Sequence, residues 1–186
     1  CTAVSLTPAA ADAPPAARTR EAGGIPLAKT TMPDYGMLSS GLSSFHKLAR
    51  NPWDLSANPG GSSAGAGAAA AAGYGPLHIG TDIGGSVRLP AGWCGVVGLK
   101  PSAGRVPINP PFIGRVAGPM TRTVADTALY MSVLSKPDAR DTMALPYADI
   151  PWLDLDRDLK GLKIGLWLDA GFGQEVTAET EQAVKK

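Results

Sequence analysis

Gly60-Gly61-Ser62-Ser63-Ala64-Gly65 and Gly80-Thr81-Asp82-Ile83-Gly84-Gly85-Ser86-Val87-Arg88 are two glycine-rich, serine-bearing stretches joined by a run of alanines. Ser62 and Ser63 stand directly before residues 64–73, whose alanines have the best intrinsic helix propensity, so the first stretch reads as a loop entering a helix N-terminus. Residues 77–79 then read as a short strand, and 80–88 as a tight turn. Working outward, 12–22 predicts a helix with Asp12 and Pro14 at its start and Gly23 and Gly24 at its end. A short strand is expected at 25–28. Residues 30–59, rich in Ser, Pro, Asn and Gly, read as loop, with a brief helical candidate at 45–50. Further on come a buried strand at 93–99, an apolar-faced helix at 123–134, a strand at 162–168 and a helix at 176–186 capped by Thr177. Strands and helices alternate without an internal repeat. That predicts an α/β fold with a mixed, largely parallel sheet flanked by helices.

Bulk properties narrow the function classes. The chain has 186 residues, 44% of them hydrophobic, which suits one domain with a real core. Its 17 basic residues nearly cancel its 16 acidic ones, and no stretch strings Lys or Arg together, so no nucleic-acid contact is expected. Cys1 and Cys94 make a poor disulfide framework, which favours a reducing, cytoplasmic setting. The alanine-glycine run at 65–75 is too short and too weakly hydrophobic for a bilayer, and the opening residues lack a signal-peptide layout. The chain starts without Met, and the helix at 176–186 has nothing after it to pack against. The expectation is a single domain, 1–186, cut at both ends, with its motif core at about 51–101. A sheet edge exposed by such a cut favours association, and a homodimer is compatible with it.

A serine hydroxyl is a weak nucleophile until a base takes its proton, and the oxyanion it generates needs preorganised donors. Closely spaced glycine amides supply such donors, and 83–86 is placed to do so. The positive end of the helix beginning near Ser63 adds to that field. Glycine-serine turns also cap helices and join strands with no chemistry at all, so spacing alone leaves both readings open. Gly61-Ser62-Ser63-Ala64-Gly65 matches the G-x-S-x-G pattern, which would make Ser63 a nucleophile, but no strand leads into it. Gly65, Gly67 and Ala70 imitate a dinucleotide fingerprint with the same defect. Only two histidines exist, His46 and His78, and neither is well placed as a base. With one internal cysteine there is no spaced ligand set, and no metal or cofactor is expected. Lysine remains as a base, since burial drives its pKa down. Lys29, Lys47 and Lys100 are the candidates, and residue-level reasoning does not choose among them.

Taken together, several segments resemble the amidase-signature hydrolases. They are Gly24-Ile25-Pro26-Leu27-Ala28-Lys29-Thr30-Thr31-Met32-Pro33, Asn51-Pro52-Trp53-Asp54, Pro59-Gly60-Gly61-Ser62-Ser63, the Gly80 to Arg88 stretch, Cys94-Gly95-Val96-Val97-Gly98-Leu99-Lys100-Pro101 and Gly118-Pro119-Met120. The resemblance implies a Ser, cis-Ser, Lys triad. Ser86 would be the acyl-forming nucleophile and Ser62 the bridging serine. The amides of Ile83, Gly84, Gly85 and Ser86 would form the oxyanion hole, with Ser63, Thr81, Asp82 and Arg88 in support. The family's catalytic lysine falls before Cys1, so it is absent from this chain, and Lys29 occupies a different family position. This chain by itself is therefore expected to be poorly active. Ala64 and Ala66 stand where the family often has glycine and serine, with little consequence expected. The implied activity is amidase hydrolysis of a small-molecule carboxamide, releasing ammonia or an amine. The alternatives are an amidotransferase A-type subunit passing ammonia to a partner, an esterase-leaning hydrolase, and a non-catalytic binding protein of the same fold.

Overall fold

The computed structural model describes residues 3, 5–156, 158–173 and 175–186. It divides into two compact units, Cys1–Leu155 and Asp156–Lys186. The first unit is built on a three-stranded sheet ordered β1-β3-β2, from β1 (Leu77–Asp82), β2 (Val97–Gly98) and β3 (Val116–Thr121). Its helices are α1 (Pro14–Glu21), α2 (Ala64–Ala71), α3 (Arg88–Cys94) and α4 (Val124–Leu134).

β3 is buried along its whole length, and its alternating residues serve two cores. On one face Ala117 joins Val106, Ile108 and, from α4, Tyr130, Met131 and Leu134. On the other, Met120 joins Ala66 of α2, Val87, and Ala91 of α3. Met131 and Leu134 are fully buried, a burial that stabilises by roughly 1.5–3 kcal/mol for each such side chain. α4 begins where predicted: Thr123 caps it by accepting the Asp126 amide, and a buried bond of 2.7 Å between Thr121 and Thr127 hydroxyls ties it to β3. α1 likewise starts on Pro14 and stops before Gly23, whose φ of 85° suits glycine, although Asp12 does not cap it.

The α/β reading holds, but both ladders are antiparallel, with Gly80 opposite Gly118 and Val97 opposite Thr121. The largely parallel pairing expected from alternation does not occur among the described strands. β1 and β2 do run in the same direction, separated by β3 rather than adjacent. The strand expected at 93–99 shrinks to β2 at 97–98, and residues 93–94 instead end the unexpected helix α3. Pro90 and Gly92 read as breakers, yet Pro90 lies in the first turn, where its missing N–H has no helical partner to lose. Gly95, at φ 69°, then ends the helix in the left-handed conformation. β1 runs on to Asp82, past the expected end at Ile79. Residues 25–28 form no strand, with Ile25 83% and Leu27 80% exposed, and no helix forms at 45–50.

In the second unit, α5 (Ala178–Lys185) has the predicted Thr177 cap, acids in its first turn and a Glu181–Lys185 ion pair. The strand expected at 162–168 does not form; the segment is exposed and pairs with no described strand. A period-two pattern shows that a segment suits a sheet, not that a partner strand is beside it.

Candidate active site

The two serine turns meet in space. The Ser63 amide donates to the Ser86 carbonyl at 3.2 Å, so the entry to α2 lies against the turn that precedes α3. The Ser63 hydroxyl accepts the Thr81 amide at 3.2 Å and lies 3.3 Å from the Thr81 carbonyl oxygen, pinning α2 to β1. A side chain at position 80 would break this clamp, because a Cβ there would sit 2.7 Å from the Ser63 Cβ and 2.8 Å from the Met120 methyl. Gly60, at φ 82°, approaches α3 so closely that a Cβ would fall 2.7 Å from the Pro90 Cα. Between these fixed points Ser62 is 5% exposed, and the Gly61–Ser62 peptide is cis. Ser86 is half-buried.

Asp82 organises the second turn. Its carboxylate is buried at the end of β1 and accepts amides from Gly85 at 2.8 Å, Val87 at 3.1 Å and Arg88 at 3.3 Å. The Arg88 guanidinium closes a two-point fork on it, at 3.0 and 2.9 Å. Burial pushes the Asp82 pKa up, but Arg88 and the three amides outweigh it and hold the carboxyl far below the usual carboxylate range. The Gly85 amide is thus committed to Asp82. Among the described residues, the Ile83, Gly84 and Ser86 amides make no bond within the chain. Thr81 contributes through its backbone, with its side chain exposed.

The long loop over 30–59 packs on the serine pair. The Thr31 carbonyl accepts the Gly65 amide at 2.9 Å. A Cβ on Gly36 would sit 3.3 Å from the Ser62 hydroxyl, and one on Gly61 would sit 2.8 Å from the Leu38 carbonyl oxygen. Residues 36–40 therefore straddle Gly61 and Ser62. Asp34 anchors this segment by accepting the Ser43 hydroxyl and Ser44 amide, and bonds from Ser44 first of all hold its carboxyl down to about 2. Further along, Asn51 donates to the Trp93 carbonyl at 2.8 Å and Trp53 to the Cys94 carbonyl at 2.7 Å, which fastens the loop to α3. The sequence marked this segment only as loop, and its contact with Ser62 was not legible.

None of the three lysines is buried: Lys29, Lys47 and Lys100 are all exposed. His78 contacts the Gly75 carbonyl at 3.3 Å, and burial lowers its pKa; His46 stacks edge-on against Phe45. Among the described residues no group of three or more His, Cys, Asp or Glu is placed to hold a metal ion, and no helix is long and apolar enough to cross a membrane.

A small sheet flanked by helices, with two glycine-serine turns locked together at the ends of α2 and β1, defines an α/β protein of the paired-serine type. Comparison with known proteins agrees. The family described as Amidase matches residues 1–186. The glutamyl-tRNA(Gln) amidotransferase A subunit of Chromohalobacter salexigens is 45% identical, over 94% of this chain and 37% of its own length. The crystal structure of the Thermotoga maritima protein of that name is 39% identical, with a TM-score of 0.67 over 74% of this chain and 31% of its own. A 6-aminohexanoate cyclic dimer hydrolase, solved with its substrate, is 39% identical with a TM-score of 0.72 over 77% of this chain and 31% of its own. The chain belongs to the Amidase family, and its fold is part of the amidase-signature fold. It spans about a third of the length of the relatives it matches.

Proposed function

We propose that the full-length protein carrying this chain cleaves a carboxamide C–N bond through an acyl-enzyme on Ser86. The observation that carries this reading is the Ser63 amide to Ser86 carbonyl bond, which brings the two serine turns into one site with Ser62 buried beside it. The Ser86 oxygen attacks the carbonyl carbon, and its proton leaves through Ser62 toward a base. The developing oxyanion is met by the Ile83, Gly84 and Ser86 amides, one fewer than the sequence reading named, because Asp82 holds Gly85. The C–N bond then breaks, the proton returns through Ser62 to the departing nitrogen, and water releases the acid. By the family resemblance the base is a lysine that this chain does not contain, and the 186 residues alone are then poorly active. Cys94, a buried free thiol, suits a reducing, cytoplasmic setting.

One second reading has a specific observation behind it: the 45% identical relative bears the name of an amidotransferase component, so the released ammonia would pass to a second substrate through a partner. The test common to both readings is a fluorophosphonate reagent applied to the full-length protein, with the adduct mapped by mass spectrometry. Labelling of Ser86, and loss of both labelling and turnover in Ser86→Ala with the fold intact, is expected. No adduct on Ser86 would leave a binding role as the better account.

A further inference from the structure

The C-terminal turn of α4 borders a cavity that no residue of the two serine turns lines. Its volume is about 90 Å³. That is about three times the share of one water in the liquid, so the cavity takes one small head group and not a drug-sized ligand. Ser132 and Ser135, at the end of α4, form one wall, and Tyr147, Asp149 and Trp152 form the other. The second wall is folded by its own backbone: the Ile150 amide donates to the Ala148 carbonyl at 3.0 Å, and the Trp152 amide to the Ile150 carbonyl at 2.7 Å. It is also fastened to α4. The Trp152 indole N–H donates to the Ser135 hydroxyl at 3.0 Å, and the ring packs against the core that holds Met131 and Leu134.

The walls carry one sign of charge. Asp149 makes no hydrogen bond or ion pair among the described residues, and no Lys or Arg lines the space. An exposed, unpaired carboxylate is ordinary by itself, but two further features here act in the same direction. α4 presents the negative end of its dipole to the cavity, and the faces of an indole and a phenol ring attract cations. A metal ion would need more ligands: no group of three or more His, Cys, Asp or Glu is placed to hold one among the described residues. Aromatic walls suit an organic cation with an apolar stem instead. We infer that this cavity binds a primary alkylammonium ion, its charged head toward Asp149 and its stem against Tyr147 and Trp152. An alkylammonium is also the form in which an N-alkyl amide's amine is released into neutral water, so the cavity is a second site for the product of the reaction proposed above. That identification as product rests on the acyl-enzyme reading of Ser86; the binding itself does not.

The test titrates the full-length protein with n-propylammonium chloride, read by saturation-transfer NMR on the ligand methyl signal, with 1-propanol as the neutral control. Asp149→Asn and Tyr147→Leu change exposed side chains and leave the core untouched. The Kd for n-propylammonium is expected to rise about five-fold in Asp149→Asn and about three-fold in Tyr147→Leu, with no saturable binding of 1-propanol. Binding is expected to persist after Ser86 has been blocked with the fluorophosphonate reagent. An unchanged Kd in both variants, equal binding of 1-propanol, or loss of binding once Ser86 is blocked overturns the alkylammonium site. Failure of Ser86 to take the reagent overturns the acyl-enzyme and the product identification, while the two variants still decide the binding.

Discussion

At the residue scale, Asp82 carries more of the site than either serine does structurally. One carboxylate satisfies three turn amides and both prongs of Arg88, and in the proposed mechanism this removes the Gly85 amide from the oxyanion donors. Its lowered pKa means the charged form stabilises the fold fully above the ordinary carboxylate value of 3.8, and that this contribution fades as pH falls toward the lower folded value. Asp82→Asn should therefore destabilise by about 3 kcal/mol at pH 7, measured from urea unfolding. The gap to wild type should narrow below about pH 4. Equal midpoints at pH 7, or a gap indifferent to acid, would show that the turn is held by something else. The sequence marked Asp82 as a support; it did not show that one residue both builds the turn and selects its free amides.

At the element scale, the site depends on how closely α2 can approach β1. Helix propensity explains why 64–71 is helical, but its position comes from Ser63 bonding to the Thr81 backbone across Gly80. Gly80→Ala inserts a methyl into that contact and must push Ser63, and Ser62 with it, away from Ser86. Displacement of about 1 Å in a reacting pair costs on the order of 100-fold in rate. The expected result is a loss of that size in the rate of Ser86 modification, with circular dichroism little changed; a wild-type rate would mean the clamp does not set the site. Elements with local signals were legible, α1 through Pro14 and Gly23 and α4 through its apolar spacing over 123–134. α3 was not, because Pro90 looks like a breaker until its place in the first turn is known.

At the scale of the whole molecule, much apolar surface is uncovered. In the first unit Ile25, Leu27, Trp53, Leu55 and Ile113 are each more than 70% exposed, and in the second Ile164, Trp167 and Phe172 are as well. β1 and β2 leave the outer edges of the sheet unpaired among the described strands. Expressed alone, the 186-residue chain is expected to self-associate, giving species larger than a monomer in analytical ultracentrifugation at micromolar concentration. A monodisperse monomer that binds no apolar dye would count against this.

The sequence by itself determined the chemistry-bearing turns, the helices with local caps and breakers, and the α/β class, because each rests on contacts within a few residues. The family followed from the same motifs. Only the tertiary structure decided the antiparallel ladders, the unpaired state of 25–28 and 162–168, and the contacts of Ser63 with Ser86 and of Gly36 with Ser62. Those depend on which distant segment lies alongside, and a pattern of period two or 3.6 carries no information about its neighbour.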